Sequence, residues 1–102
     1  MPESGSAATS NRITVSGKLD SASVPDRLRR SGDWFASAGE TVIDLAGVER
    51  ADSAGVALLL DWVRDARAAG TTLAFANAPP QMRAIIDFCA LNDVIPLRGN
   101  SA

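Results

Sequence analysis

The segment Thr41 to Ala76, TVIDLAGVERADSAGVALLLDWVRDARAAGTTLAFA, carries the architecture of this chain. It begins with a β-branched run, Thr41-Val-Ile-Asp-Leu45, of the kind expected for a central strand covered on both faces. From residue 55 to 69 the apolar residues recur at helical spacing. Val56, Leu59, Leu60, Val63 and Ala66 fall on one side, and Gly70 sits at the C-terminal stop. Thr72-Leu-Ala-Phe-Ala76 then reads as a second strand. A strand, a helix and a strand make a crossover unit, so the two strands are parallel and the connection right-handed.

The flanks extend the same cycle. Arg12-Ile-Thr-Val-Ser16 alternates with period two, apolar at Ile13 and Val15, and predicts a half-buried strand ended by Gly17. Ser23-Val-Pro-Asp26 is a helix entry, with a hydroxyl at the cap, proline in the first turn and an acid near the positive end of the dipole. Val24 and Leu28 give that helix its buried side, Gly32 stops it, and Trp34 and Phe35 close the core beneath it. On the other flank Pro79-Pro80 opens a third helix, with Met82, Ile85, Ile86 and Cys89 on one face and Asn92 at its end. Val94-Ile-Pro-Leu97 makes a brief last strand. The whole is an α/β domain, a mostly parallel sheet of four or five strands with about three helices against it. It is expected to span residues 11–98, between an N-terminal tail (1–10) that is loose or a weak edge strand and a short C-terminal tail (99–102).

Composition bounds the chemistry. The chain has 102 residues, 46% hydrophobic and 22% charged, which suits one small globular domain with a modest core. There is no histidine, so neither Ser-His nor Cys-His catalysis nor a histidine metal site can be built. The single cysteine, Cys89, forms no internal disulfide and is expected as a small core hydrophobe. A net charge of -2 with interspersed signs gives no footprint for nucleic acid. Arg27, Arg29 and Arg30 form a short basic cluster that fits a solvated helix face better than a phosphate or acidic-partner patch. The start, MPESGSAATS, lacks the basic and apolar regions of a signal peptide, and the longest apolar run, Val56 to Leu60, is far short of a membrane span. A soluble cytoplasmic protein is expected.

The joint Asp52-Ser-Ala-Gly55 is the candidate site. Ser53 reads in three ways: nucleophile, phosphate acceptor or helix cap. As a nucleophile it lacks a base, since the only lysine is Lys18, and no G-x-x-x-x-G-K-[ST] loop is present to hold a nucleotide. Enzymatic chemistry, a cofactor and a metal are therefore not expected. As a cap, Asp52 or Ser53 serves the free N–H groups of the first helical turn. A cap alone does not call for Ala54 and Gly55, whose small size admits another surface, and a bare helix start with a hydroxyl on it also suits a phosphate. The apolar arc of the helix spans roughly 200° at 100° per residue, wider than one sheet face needs. Leu58 and Trp62, with Ala69 further on, would form an exposed outer edge able to anchor a partner, rimmed by Asp61, Arg64 and Asp65. Alternatively Trp62 folds back over the sheet margin. The exposed edge would also let the isolated domain pair as a homodimer.

These residues resemble the STAS domains, the SpoIIAA-like fold of bacterial anti-sigma-factor antagonists. The resemblance rests on Val42-Ile-Asp-Leu45, Val48 to Asp52 and the Asp-Ser-Ala-Gly joint with its helix, and it covers about residues 12 to 97. Ser16-Gly-Lys-Leu-Asp20 matches the family's Ser-Gly-Glu-Leu-Asp, with Lys18 in place of the acid. Ala57-Leu-Leu-Leu-Asp-Trp62, Ala66-Arg-Ala-Ala-Gly70, Leu73-Ala-Phe-Ala-Asn77 and Pro79 are most similar to the MlaB branch. The resemblance implies a non-catalytic regulator that binds the ATPase subunit of a phospholipid-transport ABC complex, peripheral to the inner membrane and without inserting into it. The contact would be made by Asp52, Ser53, Ala54, Gly55, Leu58 and Trp62. Ser53 stands where the family carries its phosphorylatable residue, so an anti-sigma-factor antagonist switched by phosphorylation of Ser53 is the alternative it implies.

Overall fold

A computed structural model describes residues 10–36 and 39–98. Residues 1–9 and 99–102, expected as tails, lie outside the described residues. The elements follow in the expected order: β1 (Ser10–Leu19), α1 (Val24–Arg30), β2 (Gly39–Ala51), α2 (Ser53–Ala69), β3 (Thr71–Ala76) and α3 (Pro80–Phe88). The strands form one sheet in the order β1-β2-β3, parallel at both pairings. Among the described residues the sheet thus has three strands, fewer than expected. The segment foreseen as a last strand makes a single bridge, between Phe75 and Leu97, through Phe75 N–H to the Pro96 carbonyl (2.9 Å) and Arg98 N–H to the Phe75 carbonyl (2.7 Å). Pro96 brings no N–H, and the Leu97 amide turns back to the Ile95 carbonyl (2.9 Å), so pairing stops there.

Gly17 does not end β1. It adopts a φ of 85° inside the strand, between two register shifts against β2. Opposite the first shift the strands approach so closely that a Cβ on Gly47 would lie 2.8 Å from the Ser16 Cβ. The irregularity carries the pairing on until Leu19 lies beside Ala51, level with the start of α2.

One core joins Val15 and Leu19 of β1, Ile43 and Leu45 of β2, Leu58, Leu59 and Trp62 of α2, Phe75 of β3, and Met82 and Ile86 of α3. Alternation along β2 puts Ile43 and Leu45 into this core, while Val42, also buried, lies outside that cluster and Asp44 is half-buried. Trp62 is fully buried, and so is Leu58. Neither forms the exposed edge that the wide apolar arc of α2 suggested. The arc is wide because α2 is covered from two directions. The sheet presents Phe75, stacked on Trp62 at 6.4 Å. The segment after α1 presents Trp34, tilted against Trp62 at 5.1 Å, and the Ser31 hydroxyl, which accepts from Trp62 Nε1 at 2.8 Å. Leu60, grouped by spacing with Val56, Leu59, Val63 and Ala66, is half-exposed and packs at the margin of the core.

α3 stops at Phe88, four residues before Asn92. Ala90 enters the left-handed region (φ 57°) and the chain reverses. The Leu91 amide reaches the Ile86 carbonyl (2.9 Å) and the Ala90 amide that of Asp87 (3.0 Å), the paired bonds of a Schellman closure. This reversal leaves Cys89 at the helix end, exposed rather than in the core.

Candidate functional site

The bulged register of β1 decides where α2 begins. The Asp52 amide donates to the Leu19 carbonyl (3.3 Å), and the chain turns at once into the helix. Asp52 is the cap: extended (φ -125°, ψ -165°), with its Oδ1 accepting from the amides of Ala54 (2.9 Å) and, at longer range, Gly55 (3.4 Å). Ser53 is the first helical residue, exposed to solvent. The helix start is therefore not bare. A carboxylate of the chain already takes the N–H groups that an incoming phosphate would seek.

Gly55 has a different reason from the one its size suggests. It is buried, and a Cβ there would lie 2.6 Å from the Leu19 carbonyl oxygen. The close approach it permits is that of β1 to α2 within the chain. Of the six residues expected at the contact, Asp52 and Ser53 are exposed, Ala54 is half-buried, and Gly55, Leu58 and Trp62 are inside.

Two further segments adjoin the paired strand ends, Leu19 and Ala51, that lead into α2. In the loop after β1, Asp20 accepts from the amides of Ala22 and Ser23 (both 3.1 Å), and the Ser23 hydroxyl donates to the Lys18 carbonyl (2.8 Å). The Ser23 N–H, ahead of smaller contributions from the Ser23 hydroxyl and the Ala22 N–H, holds the Asp20 carboxyl below its ordinary value. From α3 the Gln81 side-chain oxygen accepts from the Ala51 amide at 3.3 Å, tying the first turn of α3 to the residue before the cap. Sequence reading did not find Gln81; a lone glutamine near a helix start carries no such signal.

Descending from Ser53, the outer side of α2 carries Ala57 and Arg64, both exposed, and the half-exposed Leu60 and Asp61. Arg64 pairs with Asp61 at 3.2 Å. Ser53, Ala57, Leu60 and Arg64 recur at helical spacing and make one ridge, small at the top and aliphatic then charged below. Sequence reading assigned Arg64 and Asp61 to a rim and missed Ala57 and Leu60 as its surface. A depression of about 250 Å³ lies lower, lined by Leu60, Val63, Arg64, Arg67 and Val94, and Ser53 does not line it. Among the described residues no group of three or more His, Cys, Asp or Glu gathers as metal ligands, and no helix is long and apolar enough to cross a membrane. What the arrangement offers is a shaped, self-capped surface with the exposed Ser53 at its head.

Comparison with known proteins fits this geometry. A family model described as "Mlab, STAS domain" matches residues 4–98. Among solved structures, the chain is similar to the anti-sigma factor antagonist SpoIIAA in its unphosphorylated form, with a TM-score of 0.61 at 19% identity, covering 95% of this chain and 86% of that one. It is also similar to a candidate anti-sigma factor antagonist from Thermotoga maritima, with a TM-score of 0.76 at 11% identity over 92% of this chain and 82% of that one. At such identities these likenesses speak to the fold. No curated protein sequence matches significantly.

Proposed function

Because the chain belongs to the MlaB-type STAS domain family, whose domains are generally non-catalytic and commonly mediate contacts between proteins, we propose that it is a regulatory subunit that binds the ATPase of a phospholipid-transport ABC complex. In that role it supports the ATPase at the cytoplasmic face of the inner membrane and so serves the lipid asymmetry of the outer membrane. The observation that carries the reading is Ser53, exposed at the head of a ridge through Ala57, Leu60 and Arg64, with the helix end behind it already capped by Asp52. Such a surface is rigid and preorganised, and it asks nothing of a covalent step. Asp52, Ser53 and Ala54 form the head of the contact. Gly55, Leu58 and Trp62 act from inside, by fixing where the ridge stands.

The test is co-purification from a native host. An ABC ATPase is expected in the eluate, and Ser53→Arg, which crowds the head of the ridge, is expected to weaken its capture by at least about tenfold. Recovery of no ATPase by the wild-type chain overturns the proposal.

The exposed Ser53 hydroxyl also favours a second reading, an anti-sigma-factor antagonist switched by phosphorylation. The Asp52 carboxylate next to it would face the added charge of about -1.5 to -2, so the modification would repel at the joint and disturb the cap. Intact mass after incubation with an anti-sigma kinase and ATP decides it: a gain of about 80 Da, lost in Ser53→Ala, supports the switch, and an unchanged mass removes it.

A further inference from the structure

α3 buries Met82 and Ile86 on its inner side. At 100° per residue the opposite side carries Pro80, Ala84 and Phe88, one row at a spacing of four. All three are exposed, and Phe88 is 91% exposed, an unusual position for a phenylalanine. Arg83 and Asp87 run along one flank of this row, both exposed, and neither makes an ion pair among the described residues. Asp87 uses one carboxylate oxygen to accept from Asn92 Nδ2 (2.8 Å), which leaves the other outward.

We infer that this outer face of α3 pairs with the same face of a second copy of the chain, the two helices antiparallel about a two-fold axis through Ala84. The row is symmetric about that axis, because Phe88 lies as far beyond Ala84 as Pro80 lies before it. Each Phe88 ring therefore comes level with the Pro80 ring of the other copy, and the two Ala84 side chains let the backbones approach. In an antiparallel pair like flanks adjoin, so Arg83 of each copy meets Asp87 of the other at an axial offset of about 3 Å, two attractions set against the single approach of the two Arg83 side chains at the same offset. The charges answer each other twice through one symmetry operation, the signature of an isologous contact. Phe88 is the anchor and the crossed ion pairs set the register. A single nine-residue helix from each copy buries a small area, so the pairing is weak and concentration-dependent. It is independent of the reading of Ser53. It also replaces the α2 edge, now inside the core, as the seat of self-association.

Sedimentation velocity on the full chain tests it, from about 10 to about 500 μM, since a contact of this size is expected to dissociate in the micromolar to millimolar range. The weight-average mass is expected to rise toward twice the monomer. Phe88→Glu, Arg83→Asp and Asp87→Arg should each hold the chain monomeric across the range with unchanged circular dichroism. An equimolar mixture of Arg83→Asp with Asp87→Arg should dimerise again, because both crossed contacts are then between opposite charges. A wild-type chain that stays monomeric overturns the inference. So does a dimer indifferent to these substitutions, or a mixture that stays monomeric while its two components fold normally.

Discussion

At Gly55 the second helix and the first strand come closer than any side chain allows, and the Leu19 carbonyl occupies the space of a β-carbon. Gly55→Ala must push the head of α2 off β1. Chemical denaturation is expected to show a loss of about 1–3 kcal/mol, with partner binding weakened in parallel because Ser53 moves with the helix. Thr41 behaves oppositely. Its side chain is fully buried and its hydroxyl has no hydrogen-bond partner among the described residues, so the isosteric Thr41→Val is expected to raise stability by about 1 kcal/mol. The roles of single residues were unevenly legible. Asp52 announced itself as a cap because an acid before an apolar helix has few other uses. Gly55 announced only that something comes close, and local pattern does not say whether that is another protein or a strand 36 residues earlier.

Among the elements, the strand–helix–strand cycle could be read from period alone, since covalent geometry enforces the alternation and the handedness of the crossover. Element ends could not. α3 was expected to run to Asn92, yet it closes at Phe88 around an alanine in the left-handed region, where the usual signal is glycine. Ala90→Gly removes that strain without touching the closing bonds, and an increase of about 1 kcal/mol in unfolding free energy is expected by thermal or urea melts. The inside of α2 was equally hidden, because a hydrophobic arc says how much of a helix is covered but not by what. Here the missing cover is Ser31 and Trp34, which follow α1. Trp62→Phe keeps most of the packing and deletes the bond to Ser31, a loss expected at about 1–2 kcal/mol.

Across the molecule, Asp44 ties the three strands together. Its carboxylate accepts from Asn77 Nδ2 just beyond β3 (3.0 Å), from the Ala46 amide (2.9 Å) and from Arg12 of β1 (2.7 Å). Those donors, Asn77 foremost, lower its pKa to about 2. The folded value lies below the unfolded one, so the stabilisation is complete above about pH 4 and disappears as pH falls through about 2. Urea midpoints of the wild type and Asp44→Asn are expected to differ at pH 7 and to converge toward pH 2. The chain has two tryptophans and no tyrosine. Its ultraviolet emission therefore arises almost wholly from Trp34 and Trp62, rings 5.1 Å apart that join α2 to the segment after α1. Light from this pair reports whether that segment is docked on α2 and is blind to the head of the ridge, so a titration with a partner that leaves the spectrum unchanged is compatible with tight binding.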